Sequence, residues 1–205
     1  MTSAEPGDRS GVPAESAPHA RWDAVIVAGG RGSRLDGESK PDLVVGGEPL
    51  LDRTLAAVAG ADAAVVVGGP RREGARWTVE NPPGSGPAAA LAAGLAELAR
   101  DREPASVTVV LGVDTPLAAV AVPRLIAAAG PSQGAWLVDL EGIPQYLVAA
   151  YPTGALSARC GEDLGGASLR RLVAGLDMRE ITDGDGLAKD VDTWDDVRFW
   201  KERLG

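Results

Sequence analysis

The sequence predicts an α/β domain built on a mostly parallel β-sheet, with a small antiparallel portion in its second half. Three observations predict it. Short apolar runs rich in β-branched residues, at 25–27, 63–67 and 107–111, alternate with stretches of helical periodicity, the pattern of strand–helix–strand crossovers. Each run stops at a turn-forming segment: Gly29-Gly30, Gly68-Gly69 and Gly112-Val113-Asp114. After Gly134, two strand-like runs at 135–139 and 144–150 are joined by a short Glu141-Gly142 turn, as in a hairpin.

The elements follow in order. Residues 1–20, rich in Pro, Gly, Ser, Ala and acidic side chains, read as a disordered leader. Residues 21–205 read as one domain, a length that a single core accommodates. After the run at 25–27 comes a loop to Lys40, then a short strand at 43–45 and a Gly46-Gly47 turn. A helix is expected over 49–59, with Pro49 near its first turn. The strand at 63–67 precedes an edge strand at 76–79 and the turn-rich segment 80–87. A helix at 88–100, the strand at 107–111 and a helix at 122–129 follow. Beyond the hairpin, helices are expected at 153–159 and 168–174 and a last strand at 178–181. Residues 193–203 are amphipathic, with Val197, Trp200 and Leu204 on one face and Asp195, Arg198 and Glu202 on the other.

Composition narrows the function classes. A formal net charge of −9 argues against nucleic acid or an anionic membrane as partner, because long-range attraction is absent. No apolar run reaches membrane-spanning length, and the N-terminus lacks a basic-then-apolar signal pattern, so a cytoplasmic location is expected. One cysteine, Cys160, forms no internal disulfide. With His19 as the sole histidine, a His/Cys zinc site cannot be built. Any catalytic metal must be held by oxygen, which points to Mg²⁺ or Mn²⁺.

Against that acidic background, the loop at 23–40 stands out. The two glycines after its strand permit close backbone approach by a ligand, and Arg31, Arg34 and Lys40 bring three cations into one segment. A polyphosphate suits such a loop; a solvated cationic loop is the alternative. The G-x-x-x-x-G-K-[ST] phosphate loop fails, since Gly37 is followed by Glu38-Ser39. The G-x-G-x-x-G fingerprint fails because Leu35 stands where its third glycine belongs. What does fit is an apolar residue followed by A-G-G-x-x-x-R-x-x-G-x-x-K. Asp114, just past an apolar strand in a loop stiffened by Pro116, is a candidate cation ligand; a turn-forming or capping aspartate is the other reading.

These features together resemble the molybdenum cofactor guanylyltransferase-like family of nucleotidyltransferases. The likeness runs through the A-G-G loop with Arg34 and Lys40, the Gly68-Gly69 pair and the N-P-P-G-S-G-P segment from Asn81. It continues in D-T-P at Asp114 and D-V-D-T-W-D-D from Asp190, in family order across about 23–203. The resemblance implies a Rossmann-like three-layer sandwich with helices on both sheet faces. It implies an enzyme that binds an NTP with Mg²⁺, transfers the NMP to a phosphorylated acceptor and releases pyrophosphate. Arg34, Lys40 and Asp114 would be catalytic, the two cations holding the triphosphate. Asp114 and Asp192 would ligate the metal, with Asp190 a substitute; the N-cap of the last helix is the other role open to Asp192. The backbone of Val27, Ala28 and Gly29 would line the base and ribose, and Gly30 would also bind the nucleotide.

The guanine-reading position of the family falls on Asn81, with Glu80 beside it. The family usually has Asp there, so GTP is favoured and CTP competes. Asp36, where the family has Gly, is a second departure. The acceptor implied is molybdopterin, a phosphorylated pterin, with Gln145 and Tyr146 on its side of the site. Arg170 and Arg171 are weaker anion candidates, read first as a solvated helix face. Transient contact with molybdoenzyme maturation proteins is implied, and a monomer or weak homo-oligomer is expected. Alternatives are a cytidylyltransferase, a transferase for another small phosphorylated acceptor, and a non-catalytic nucleotide-binding accessory protein, which Asp36 and Asn81 would permit.

Overall fold

The computed structural model describes residues 21–29, 35, 37–161, 164 and 167–205. The leader expected at 1–20 lies outside the described residues, as do Gly30, Arg31, Arg34 and Asp36 of the loop after the first strand. In chain order the strands are β1 (Trp22–Val27), β2 (Val44–Val45), β3 (Glu48–Pro49), β4 (Ala64–Val67), β5 (Arg76–Thr78), β6 (Val107–Gly112), β7 (Gly134–Val138), β8 (Pro144–Pro152) and β9 (Met178–Thr182). The helices are α1 (Leu50–Ala57), α2 (Pro87–Leu98), α3 (Ala118–Ala128), α4 (Thr153–Cys160), α5 (Leu169–Leu172) and α6 (Trp194–Leu204).

Seven strands form one sheet in the order β5-β4-β1-β6-β8-β7-β9. Every adjacent pair is parallel except those made by β8, which runs antiparallel to both β6 and β7. The antiparallel portion is therefore one strand reversed by a tight turn. Asp139 shapes that turn, its Oδ1 accepting from the backbone N–H groups of Glu141 and Ile143, each at 2.9 Å. β2 and β3 form a separate two-stranded ribbon.

Alternation along the central strands explains the layers. Ala24 and Ile26 of β1 join Val109 and Leu111 of β6 in a core shared with Leu50 and Leu51 of α1, Leu125 of α3 and Trp200 of α6. Val25, Val27 and Val110 point the other way, onto Leu91, Leu95 and Leu98 of α2 and Leu156 of α4. Both faces of the sheet are covered, so strands that read as unbroken apolar runs are those of a buried parallel sheet. The result is the expected Rossmann-like three-layer sandwich. Among the described residues no helix is long and apolar enough to cross a membrane.

Several boundaries differ from the sequence expectation by a residue or two, and the start of α3 differs most. α3 begins at Ala118 rather than near 122, and carries Pro123 inside it. A proline favours the first helical turn, but here burial of Ala118 and Ala121 carries the helix back ahead of it. The short strand expected at 43–45 is found at Val44–Val45, in the two-stranded ribbon.

The segment between β9 and α6 is fastened by Asp183, which is buried and accepts from Leu187 N–H and Ala188 N–H, each at 2.8 Å. Asp183→Ala strands both donors, and a loss of roughly 2–4 kcal/mol is expected from two bonds to a charged acceptor. Urea unfolding measures it; a loss below about 0.5 kcal/mol, an ordinary surface value, would show that the segment holds itself.

Candidate active site

The parallel register brings Val27 beside Val67 and Gly112, so the loops after β1, β4 and β6 leave the sheet at one edge. Backbone bonds lock them together: Ala28 N–H donates to Val67 O at 2.9 Å, and Val113 N–H to Val27 O at 3.1 Å. Gly68 has φ +73°, and a Cβ on it would stand 2.8 Å from Gly29 Cα. Only glycine meets both demands. Trp77 closes the far side, its Nε1 donating to Gly69 O at 3.1 Å.

These loops floor a cleft of about 740 Å³, a volume suited to a small-molecule ligand. Val27, Ala28 and Gly29 line it at the centre, and Lys40 and Asp114 at one end. Glu80, Pro83, Gly84 and Pro87 form the opposite wall, and Leu147 of β8 also reaches it.

The end that holds Lys40 and Asp114 is the most organised part. Lys40, in a 3₁₀ turn over Lys40–Asp42, donates from Nζ to Asp114 Oδ2 at 2.8 Å and to Asp192 Oδ1 at 2.5 Å. Burial alone would lower the Lys40 pKa, but Asp114 and Asp192 outweigh it and hold the ammonium above its ordinary value. Carboxylate oxygens of Asp114, Asp190 and Asp192 lie within 4.8 Å of one another. Burial pushes the Asp190 carboxyl up, its two acidic neighbours push the same way, and Lys40 opposes them.

Local structure explains how these acids meet. The Asp114 carboxylate folds over Gly112, where a Cβ would stand 2.6 Å from Oδ1. Val191 N–H donates to Asp114 O at 2.9 Å, tying the loop before α6 to the loop after β6. Trp200 Nε1 reaches Asp190 O at 3.4 Å from beneath. α6 is capped by Thr193, whose Oγ1 accepts from Asp196 N–H at 3.2 Å while Asp196 Oδ2 accepts from Thr193 N–H at 3.0 Å. The cap role left open for Asp192 is thus filled by its neighbour, and Asp192 instead meets Lys40.

An all-oxygen set of clustered carboxylates fits a hard divalent cation. The Lys40 ammonium between Asp114 and Asp192 marks the same spot as one that favours positive charge.

The remaining sequence candidates distribute as follows. Asn81 is exposed and does not line the cleft, whereas Glu80 lines it and is buried. Asn81, the residue named for guanine reading, thus lies outside the cleft lining, while the loop turns Glu80 inward, fastened by Gly84 N–H donating to Glu80 Oε1 at 2.8 Å. Gln145 and Tyr146 are half-buried on β8, with Gln145 Nε2 donating to Asp139 Oδ2 at 3.0 Å. Arg170 and Arg171 are exposed on α5, as a solvated helix face would be. Glu80 and Asp190 are faintly signalled in the sequence. The acidic repeat Asp190-x-Asp192 marks one, and only its place after a strand marks the other.

Comparison with known proteins agrees with this architecture. A family model described as "MobA-like NTP transferase domain" matches residues 24–181. Phosphoenolpyruvate guanylyltransferase of Streptomyces scabiei (strain 87.22) is 37% identical over 129 residues, which is 61% of this chain. The match spans 58% of that curated relative's length. The crystal structure of Rv0371c from Mycobacterium tuberculosis H37Rv superposes with a TM-score of 0.72 at 24% identity, covering 89% of this chain and 98% of that one. Molybdopterin-guanine dinucleotide biosynthesis protein A from Archaeoglobus fulgidus gives a TM-score of 0.66 at 17% identity, covering 88% and 97%. At these identities the two structures speak for the fold alone.

Proposed function

Since the chain belongs to the family of MobA-like NTP transferase domains, it is a nucleotidyltransferase, and we propose that it transfers GMP from GTP to a phosphorylated acceptor. The observation that carries the proposal is Lys40 braced between Asp114 and Asp192 at the cleft's edge, a cation and two anions convergent on one point. The guanylyltransferase relative supports the choice of base. The reacting groups come from the substrates: an acceptor phosphate oxygen attacks the α-phosphorus, the α–β bond breaks, and pyrophosphate leaves. No nucleophilic side chain is required, so positioning and charge neutralisation are the protein's task. Lys40, with Arg34, would hold the triphosphate and offset charge on the departing pyrophosphate. Asp114 and Asp192 would hold Mg²⁺ or Mn²⁺, which when bound supplies further charge neutralisation to the phosphates. The backbone of Val27, Ala28 and Gly29 would support the nucleoside.

The preferred acceptor is molybdopterin, on the motif resemblance. A second reading, a phosphorylated carboxylate such as phosphoenolpyruvate, is favoured by the curated relative's activity. Pyrophosphate release decides between them: each NTP is supplied with Mg²⁺ and either molybdopterin or phosphoenolpyruvate. Release from GTP with molybdopterin is expected. Release with phosphoenolpyruvate alone would transfer the assignment to the second reading, and release from CTP alone would make the chain a cytidylyltransferase. No release with any pair, and no thermal shift with any NTP, would overturn catalysis altogether.

A further inference from the structure

The loop after β4 touches the turn that carries Lys40 at two places. A Cβ on Gly69 would stand 3.1 Å from Pro41 Cγ, so the loop backbone packs directly on the turn. Further along, Arg72 acts as a fork. Its Nη2 donates to Asp42 Oδ1 and its Nε to Asp52 Oδ1 of α1, each at 2.7 Å. Asp42 ends the 3₁₀ turn Lys40–Asp42, and its second oxygen accepts from Ser39 Oγ at 2.8 Å. Arg72 first, and Ser39 after it, hold the Asp42 carboxyl below its ordinary value. The loop is itself braced by Trp77. The indole Nε1 donates to the carbonyls of Gly68 and Gly69, at 3.2 and 3.1 Å, and the Arg71 guanidinium lies 4.6 Å from the ring centroid. Arg72 does not line the cleft, so it reaches a nucleotide only through the turn.

We infer that Arg72 is a positioning residue for Lys40, tying the Lys40 turn to α1 so that the ammonium is presented to the triphosphate already ordered. The inference rests on Lys40 as the triphosphate's cation and deepens that reading. Ser39 provides no side-chain cap for the turn. Lys40 is held by Asp114 and Asp192, and a triphosphate that draws the ammonium away removes that hold. The turn then leans on Pro41 and Asp42. A guanidinium suits the task, because its planar fork meets two carboxylates in fixed directions, whereas an ammonium is a point charge. Each partly exposed pair adds little to overall stability. Ordering the turn beforehand matters more, since binding then carries no entropy cost of ordering it.

Arg72→Met, Lys40→Met and the double variant form a cycle, read by titration calorimetry with GTP and Mg²⁺ in the absence of acceptor. Arg72→Met alone is expected to weaken GTP about tenfold, the scale of losing the order of one side chain and its turn. Its melting temperature should hardly move. In the Lys40→Met background the same substitution is expected to change GTP affinity less than about twofold, because no ammonium remains to be positioned. Equal weakening in both backgrounds would overturn the inference, since Arg72 would then act without Lys40. So would unchanged GTP affinity in Arg72→Met. Arg72→Lys keeps the charge but cannot span both carboxylates, and is expected to weaken GTP as the methionine does. Wild-type affinity in that variant would overturn the fork. Should Arg72→Met not fold, Asp42→Ala completes the same cycle with the Arg72–Asp52 pair intact, and equal weakening with and without Lys40 would again overturn the inference. A Lys40→Met protein that binds GTP as tightly as the wild type would refute the triphosphate role of Lys40 and the inference together.

Discussion

Asp114→Asn is expected to lower turnover by roughly 10²-fold or more, the cost of removing one preorganised charge stabiliser. The substitution keeps the side chain's shape over Gly112 and leaves the backbone carbonyl free to accept from Val191 N–H. It removes one negative charge from a cluster of three carboxylates. Folding should hardly change, because the partly exposed pair with Lys40 contributes at most about 1 kcal/mol. Loss of turnover at unchanged melting temperature is thus the signature, read from pyrophosphate release and a thermal melt of the same sample. Near-wild-type turnover would remove Asp114 from the metal site.

Lys40→Met is expected to act in opposite directions on the two ligands. The variant lacks a cation for the triphosphate, so GTP should bind more weakly and turnover should fall by about 10²-fold. Mn²⁺ alone should bind more tightly. In the wild type the ammonium sits 2.8 Å from Asp114 Oδ2 and 2.5 Å from Asp192 Oδ1, the place a metal would take. Removing a unit charge at such range relieves several kcal/mol of repulsion at an effective dielectric near 20, and about a tenfold gain survives desolvation of the freed carboxylates. Electron paramagnetic resonance of Mn²⁺ without nucleotide measures it. Weaker Mn²⁺ binding in the variant would mean that Lys40 organises the acids rather than competing for them. In the expected case, metal and nucleotide bind cooperatively, because the triphosphate gives Lys40 another anion when it leaves the carboxylates.

Much of the fold was legible because its signals are local. Val25, Ile26 and Val27 read as a buried strand since both sheet faces are covered, and the same holds for 107–111. The turn after β7 was legible in Glu141-Gly142, and α6 in the spacing of Val197 and Trp200. The start of α3 was not. Pro123 is a strong local signal for a first turn, and it was overridden by burial of Ala118 and Ala121, which no window of sequence records.

The site was legible as residue types and only partly as positions. Lys40 and Asp114 could be named from spacing after strands. Whether Asp192 or Thr193 caps α6 could not, since either side chain can serve; the capping box between Thr193 and Asp196 decides it. Glu80 and Asn81 are adjacent, and a shift of one residue exchanges inside for outside. The bond from Gly84 N–H to Glu80 Oε1 selects Glu80 for the cleft.

By itself, then, the sequence determined the alternation of strands and helices, the glycine turns at strand ends and an all-oxygen chemistry for any metal. Periodicity and turn preference are properties of neighbours along the chain, and they survive without the rest of the molecule. Tertiary structure decided the meeting of Lys40 with Asp114 and Asp192, residues 74 and 152 positions apart. It also decided that Glu80, and not its neighbour Asn81, lines the cleft. Those outcomes depend on strand order and on which loops leave the same edge of the sheet, and strand order is set by packing across the whole core.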